Sequence, residues 1–161
     1  MDNSMTNVEA VINNTLLGKE AFYAQAFKSR AVVEMPTISN IKPNATIHSA
    51  IMTLPVAHQT GVEYEPAGFI RIRREDPDNQ GAYLDISRPG TASVAQYSSV
   101  RKSYTFDLRY HAQRILLGEI ENTPLVISPV FFNSSADRII FNGSETVNKE
   151  APSLRILFTE F

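Results

Sequence analysis

From Ala45 to the end, the chain is a succession of short runs in which apolar and polar residues alternate, each closed by Pro, Gly, Asn or Ser. Side chains along a strand point to opposite faces in turn, so this period specifies half-buried strands. Many such strands with turn punctuation specify an antiparallel sandwich. The clearest run opens at Ala45-Thr46-Ile47. It then places Ala50, Met52, Leu54 and Val56 on one face and Ser49, Ile51 and Thr53 on the other. One face is expected to be buried. Pro55 cannot donate to a ladder, which predicts a sheet edge or a strand terminus there.

Further strands are expected over Phe69–Arg74, with Ile70 and Ile72 on one side and Phe69, Arg71 and Arg73 on the other, and over Tyr83–Ile86, Tyr104–Leu108, Leu125–Phe132, Arg138–Phe141 and Leu154–Thr159, with one or two between Ala21 and Met35. Pro36 is expected to end ladder pairing. Ile38–Asn44 reads as a connecting loop, and Arg88–Ser99, rich in Gly, Pro, Ser and Ala without periodicity, as a long one. A single helix interrupts the strands. Leu108, Ala112, Ile115 and Leu116 share a helical face, Asp107 stands at an N-cap position and Gly118 at a left-handed C-terminal position. This predicts a helix over about 108–117. Residues 21–161 are thus expected to form one sandwich domain, preceded by a polar segment, 1–20. In that segment Val8, Val11, Ile12, Leu16 and Leu17 allow a short helix ending at Gly18.

Composition narrows the function. The chain has 161 residues, enough to bury a core without staples, and a formal charge of −2. Basic residues form no run longer than Arg73-Arg74, so no nucleic-acid partner is expected. Absence of cysteine excludes disulfides, thiolate metal sites and a cysteine nucleophile, and fits the cytosol or an exported protein of Gram-negative bacteria. No apolar run is long enough to span a bilayer, and Met1-Asp2-Asn3-Ser4 lacks a basic start to a signal peptide. The chain reads as a cytosolic protein or as part of a longer exported precursor. Asn-x-Ser/Thr triplets at Asn13, Asn44, Asn133 and Asn142 read as turns rather than glycosylation acceptors.

Two stretches resemble a known group. Ser29–Met35 followed by Asn44–Leu54 resembles the opening of jelly-roll modules. Phe106–Gly118, Glu121–Ile127, Ala136–Gly143 and Pro152–Phe158 resemble a matching closing half. Together they look most like uncharacterised lipoproteins of Bacteroidota, a family known only as a domain of unknown function, and more distantly like DNRLRE-type carbohydrate-binding-like modules. The resemblance runs from about Phe22 to the C-terminus and is poor over Ala57–Ser103. It implies a jelly-roll-like β-sandwich from the C-terminal part of a longer lipid-anchored precursor, at the outer membrane or cell surface or in the periplasm. The anchoring cysteine is not in this chain. A membrane would be met only through that lipid.

The residues show no catalytic machinery. His48, His58 and His111 have no ligand spacing, and neither a Gly-x-Ser-x-Gly elbow nor a phosphate loop occurs. A hydrolase would need two carboxylates in a cleft, from Glu63, Glu65, Asp76, Asp78 and Asp85. In the acidic turn Glu75–Gly81, Asp76, Asp78 and Gly81 match the first, third and sixth positions of a calcium loop, with Asp85 nearby. Ser87 stands where the bidentate glutamate belongs, so a plain turn competes with a calcium site. Tyr64, Phe69, Tyr83 and Tyr97 supply rings, and Arg71 and Arg73 donors, for a sugar site; core packing and a solvated strand face are the competing readings. The expectation is a non-catalytic envelope module that binds polysaccharide or, alternatively, an envelope protein within a surface or secretion assembly.

Overall fold

The computed structural model describes residues 19–57, 65–148 and 150–161. The expected N-terminal helix, His58, Glu63 and Tyr64 lie outside the described residues. The fold is an all-β antiparallel sandwich, with one α-helix among the described residues.

Its larger sheet is built on β4 (Phe69–Glu75), which pairs along one side with β8 (Leu125–Pro129), itself paired with β2 (Ala31–Val33). The other side of β4 is shared by β5 (Tyr83–Asp85) and β6 (Val94–Gln96). The second sheet has the order β10–β3–β7, from Ser153–Thr159, Thr46–Pro55 and Ser103–Asp107. A third pair, β1 (Ala21–Gln25) with β9 (Arg138–Asn142), joins the second sheet through a Val56–Phe141 bridge.

Alternation decides what faces inward. Ala50, Met52 and Leu54 of β3 and Tyr104 and Phe106 of β7 meet Ile70 and Ile72 of β4, Leu125 and Ile127 of β8, Ala31 and Ala95 in one buried cluster. Aromatic rings tie in the end strands: Phe22 stacks on Phe141 at 4.9 Å, and Tyr104 meets Phe141 edge-on at 6.0 Å. The buried Tyr104 hydroxyl donates to the Ala67 carbonyl, so the ring brings no orphan polar atom into the core.

The expected faces of β3 and β4 are as read, and Ala21–Met35 forms two strands separated by a turn. Pro55 closes β3 at its end; β3 is the middle strand of its sheet, so the terminus reading holds and the edge reading does not. Four details differ from the sequence reading. The pairing of β3 with β10 slips at Leu157/Phe158, with Leu157 opposite Ser49 and Phe158 opposite Ile47, so His48 is an extra residue on β3. That bulge lets Ile47 and Ala50, three apart, both face the core. Part of the expected loop after Met35 is a 3-10 helix, Pro36–Asn40, because Ile38 plugs the core with no exposure. The expected Arg88–Ser99 loop contains β6, whose three residues are too few to show a period but suffice to fill the open half of β4. Finally, α1 spans Arg109–Leu116 and its N-cap is Leu108; Asp107 Oδ1 instead accepts the Arg109 amide at 2.9 Å. Gly118 does adopt the left-handed conformation, at φ 71°.

Helix α1 is docked by Gln113. Its Oε1 accepts the Ile47 amide at 2.8 Å and its Nε2 donates to the Ala45 carbonyl at 3.2 Å, satisfying backbone groups next to the bulge.

Candidate functional site

Phe69, Arg71 and Arg73 are alternate residues of β4, so they share the face opposite Ile70 and Ile72. That face is the outside of the larger sheet. Arg73 pairs in register with Val126 and Asp85, and Tyr83, two residues before Asp85, stands on the same face. The Arg73 guanidinium lies 5.0 Å from the centre of the Tyr83 ring. Arg30, just before β2, lies over the same ring at 4.9 Å and over Phe132 at 4.3 Å. Two rings and two guanidiniums therefore interleave, with Arg71 one step further along β4.

The guanidiniums of this cluster make no ion pair among the described residues, and Asp85, opposite Arg73 on β5, is the carboxylate that acts on Arg73. Among the described residues the ion pairs are Lys19–Glu145, Lys42–Glu160 and Arg114–Glu119, and none includes Arg30, Arg71 or Arg73. Partial burial lowers the pKa of Arg73. Arg71 and Arg30 push it the same way, against the opposing pull of Asp85. The Nε of Arg71 is buried without a hydrogen-bond partner. Cation–π contact with Tyr83 and Phe132 offsets part of the repulsion, on the order of 0.5–2 kcal/mol per contact. Three guanidiniums thus face one nearby carboxylate, Asp85, which leaves an excess of positive charge among the described residues.

The structure brings Arg71, Arg73 and Tyr83 together, with Phe69 at the far end of the same stripe, 45% exposed. It does not bring in Tyr97. That ring tilts onto Tyr104 at 5.4 Å and packs against the core, and burial raises its hydroxyl pKa. Arg30 and Phe132 were missed by the sequence reading. Arg30 offers no local signal, being over forty residues from Arg73 in sequence. Phe131-Phe132 did, as two adjacent rings that cannot both enter one core; the expected strand over Leu125–Phe132 ends at Pro129, and the pair lies in the turn after it. Phe131 is 60% exposed, and Phe27, whose amide donates to the Phe132 carbonyl at 2.9 Å, is 67% exposed.

The acidic turn between β4 and β5 spends two of its carboxylates, Glu75 and Asp76, on its own backbone. Asp76 Oδ1 accepts the Asp78 amide at 3.1 Å, and Glu75 Oε1 accepts the Gly81 amide at 3.1 Å. Asp85 is on β5 opposite Arg73, so Asp76, Asp78 and Asp85 do not converge, and no cluster of three His, Asp or Glu side chains suited to a metal occurs among the described residues.

A second concavity lies on the outside of the β10–β3–β7 sheet. It encloses about 700 Å3 and is lined by Ser49, Ile51 and Thr53 of β3, Thr105 of β7, and Ser153 and Arg155 of β10, with Glu150 and Arg101 at its sides. Register sets its floor: Ser153, Thr53 and Thr105 form one cross-strand row. Glu65, Asp76, Asp78 and Asp85 line neither this groove nor the smaller one, of about 390 Å3, between Ser87–Val94 and the start of α1.

No known protein family matches the chain, and neither the curated proteins nor the solved structures contain a match to it.

Proposed function

We propose that the protein is a non-catalytic binding module of the bacterial cell envelope that takes an acidic polysaccharide on the Arg30, Arg71, Arg73 and Tyr83 face. The observation that carries the reading is the set of three guanidiniums, two of them over aromatic rings, none of which is ion-paired among the described residues and which Asp85 alone opposes. Guanidinium matches carboxylate and sulfate in a planar two-point fork, and the ligand charge relieves the mutual repulsion of the arginines. Rings at the same place offer flat apolar ground for the C–H face of a sugar. The excess positive charge selects acidic over neutral chains. The envelope location rests on the resemblance of the strand motifs to Bacteroidota lipoproteins.

The test is calorimetric titration with polygalacturonate and with dextran at low and high salt. Binding to polygalacturonate alone is expected, weakened by salt and by at least about tenfold on Arg73→Ala, which is about 1.4 kcal/mol. Equal binding of the neutral and acidic chains, or binding indifferent to Arg73→Ala, rejects the acidic-glycan site. No binding to either favours the envelope-protein partner.

A further inference from the structure

The β10–β3–β7 sheet ends on β10, and the side of β10 turned away from β3 has no backbone partner among the described residues. Such an edge is a template for another strand, and folded proteins blunt it with lysine, proline, a bulge, shortness or cover; the bulge here carries its extra residue on β3, leaving β10 itself regular. β10 is seven residues long and carries neither lysine nor proline. Its one charge, Arg155, points into the outer groove. Other edges are shorter or bridged: β2 has three residues, β1 five, and β7 is bridged through Ser103 to Ser98, just after β6.

The side chains of β10 are also incompletely covered. Leu157 is 62% exposed and Phe158 38%, while Leu154 and Ile156 reach the core but stay half-buried. Beside the start of β10 a cleft of about 110 Å3 runs between Val33, Met35, Met52, Leu54 and Leu154, so the sandwich is unsealed on this side.

We infer that β10 pairs antiparallel with β10 of a second copy of this chain, about a two-fold axis at Leu157. A two-fold contact pairs residue i with j and j with i, so the strand must complement itself. About Leu157 it does: Leu157 meets Leu157 on the outer face, Ile156 meets Phe158 on the core face, and Arg155 stands opposite Thr159. A two-fold at Arg155 would set guanidinium against guanidinium, and like charges directly opposite are unfavourable. The pairing continues one sheet across both copies and runs their outer grooves together. A contact built on one strand pair is small, so the dimer is a reversible one in the micromolar range. The inference is independent of the glycan site, which lies on the other sheet.

Sedimentation equilibrium of the full chain from about 1 μM to about 1 mM tests it. A monomer–dimer equilibrium is expected. Leu157→Lys is expected to raise the dissociation constant at least about tenfold without lowering the unfolding midpoint, by opposing two ammonium groups at the axis. Thr159→Glu, which faces Arg155 only in this register, is expected to tighten the dimer at low salt. A wild-type chain that stays monomeric overturns the inference. So does a dimer indifferent to both changes, or one dissolved by Val32→Lys on the β2 edge.

Discussion

His111 predicts an acid-labile fold. It sits in α1 at 1% exposure, its Nε2 has no partner, and burial, with Arg74 and Arg114 nearby, lowers its pKa to about 4. In the unfolded chain the ring titrates near its ordinary value of 6.5. Between those two values the unfolded state binds a proton that the folded state refuses, so stability rises with pH through this interval and is complete above it. At about 1.4 kcal/mol per pH unit, the interval is worth about 3 kcal/mol, a large part of the 5–15 kcal/mol that holds a typical domain together. Substituting His111→Leu removes the titration and keeps an apolar group of similar bulk, at a cost of about 1.5 kcal/mol or less at neutral pH. Urea unfolding followed by circular dichroism from pH 8 to pH 4 is the assay. The wild-type stability is expected to fall relative to the variant by about 3 kcal/mol as pH drops from 6.5 to 4. Parallel curves would mean that the folded ring takes up its proton as readily as the unfolded one, and the buried environment described for it would be wrong.

Other substitutions probe the faces and joints of the sandwich. Leu54→Ala is expected to cost about 2–5 kcal/mol in chemical unfolding, because Leu54 is wholly buried. Arg71→Ala is expected to stay within about 0.5 kcal/mol, since it removes a guanidinium with a partnerless Nε; equal losses at the two sites would mean that the strand faces are reversed. Tyr104→Phe leaves the Ala67 carbonyl without its donor and is expected to cost about 1–3 kcal/mol by the same measurement. Gly143→Ala would place a methyl group 2.0 Å from the Lys19 carbonyl oxygen and 2.7 Å from the Glu20 carbonyl carbon. It is expected to lower the melting temperature by several degrees, as the close approach of the chains before β1 and after β9 is forced apart; an unchanged melt would refute that approach.

Reading strands from this sequence succeeded where several alternating residues follow one another. β3 and β4 are long enough to display a period, and the grouping of Ala50, Met52 and Leu54 on one face and of Ile70 and Ile72 on another was visible residue by residue; that the Ala50-Met52-Leu54 face is the buried one was decided by packing. The helix was visible through its three- and four-residue spacing and Gly118. β6 was not, because three residues carry no measurable period and its pairing depends on the vacancy left by β5 beside β4. The bulge at His48 was equally hidden, since it exists only relative to β10, about a hundred residues later. The candidate site divides in the same way. Phe69, Arg71 and Arg73 were legible as one stripe, being local to a strand, whereas Tyr97 belongs with Tyr104 and the core.

What the sequence by itself determined is the kind of fold and the facing of its long strands, because backbone geometry ties side-chain direction to position along the chain. Which strands pair, which edge is left open, and that Arg30 and Phe132 join Arg73 and Tyr83 were decided only by the tertiary structure. Those outcomes depend on segments far apart in sequence packing around one shared core, where steric fit and hydrogen-bond satisfaction across strands select among pairings that are locally equivalent.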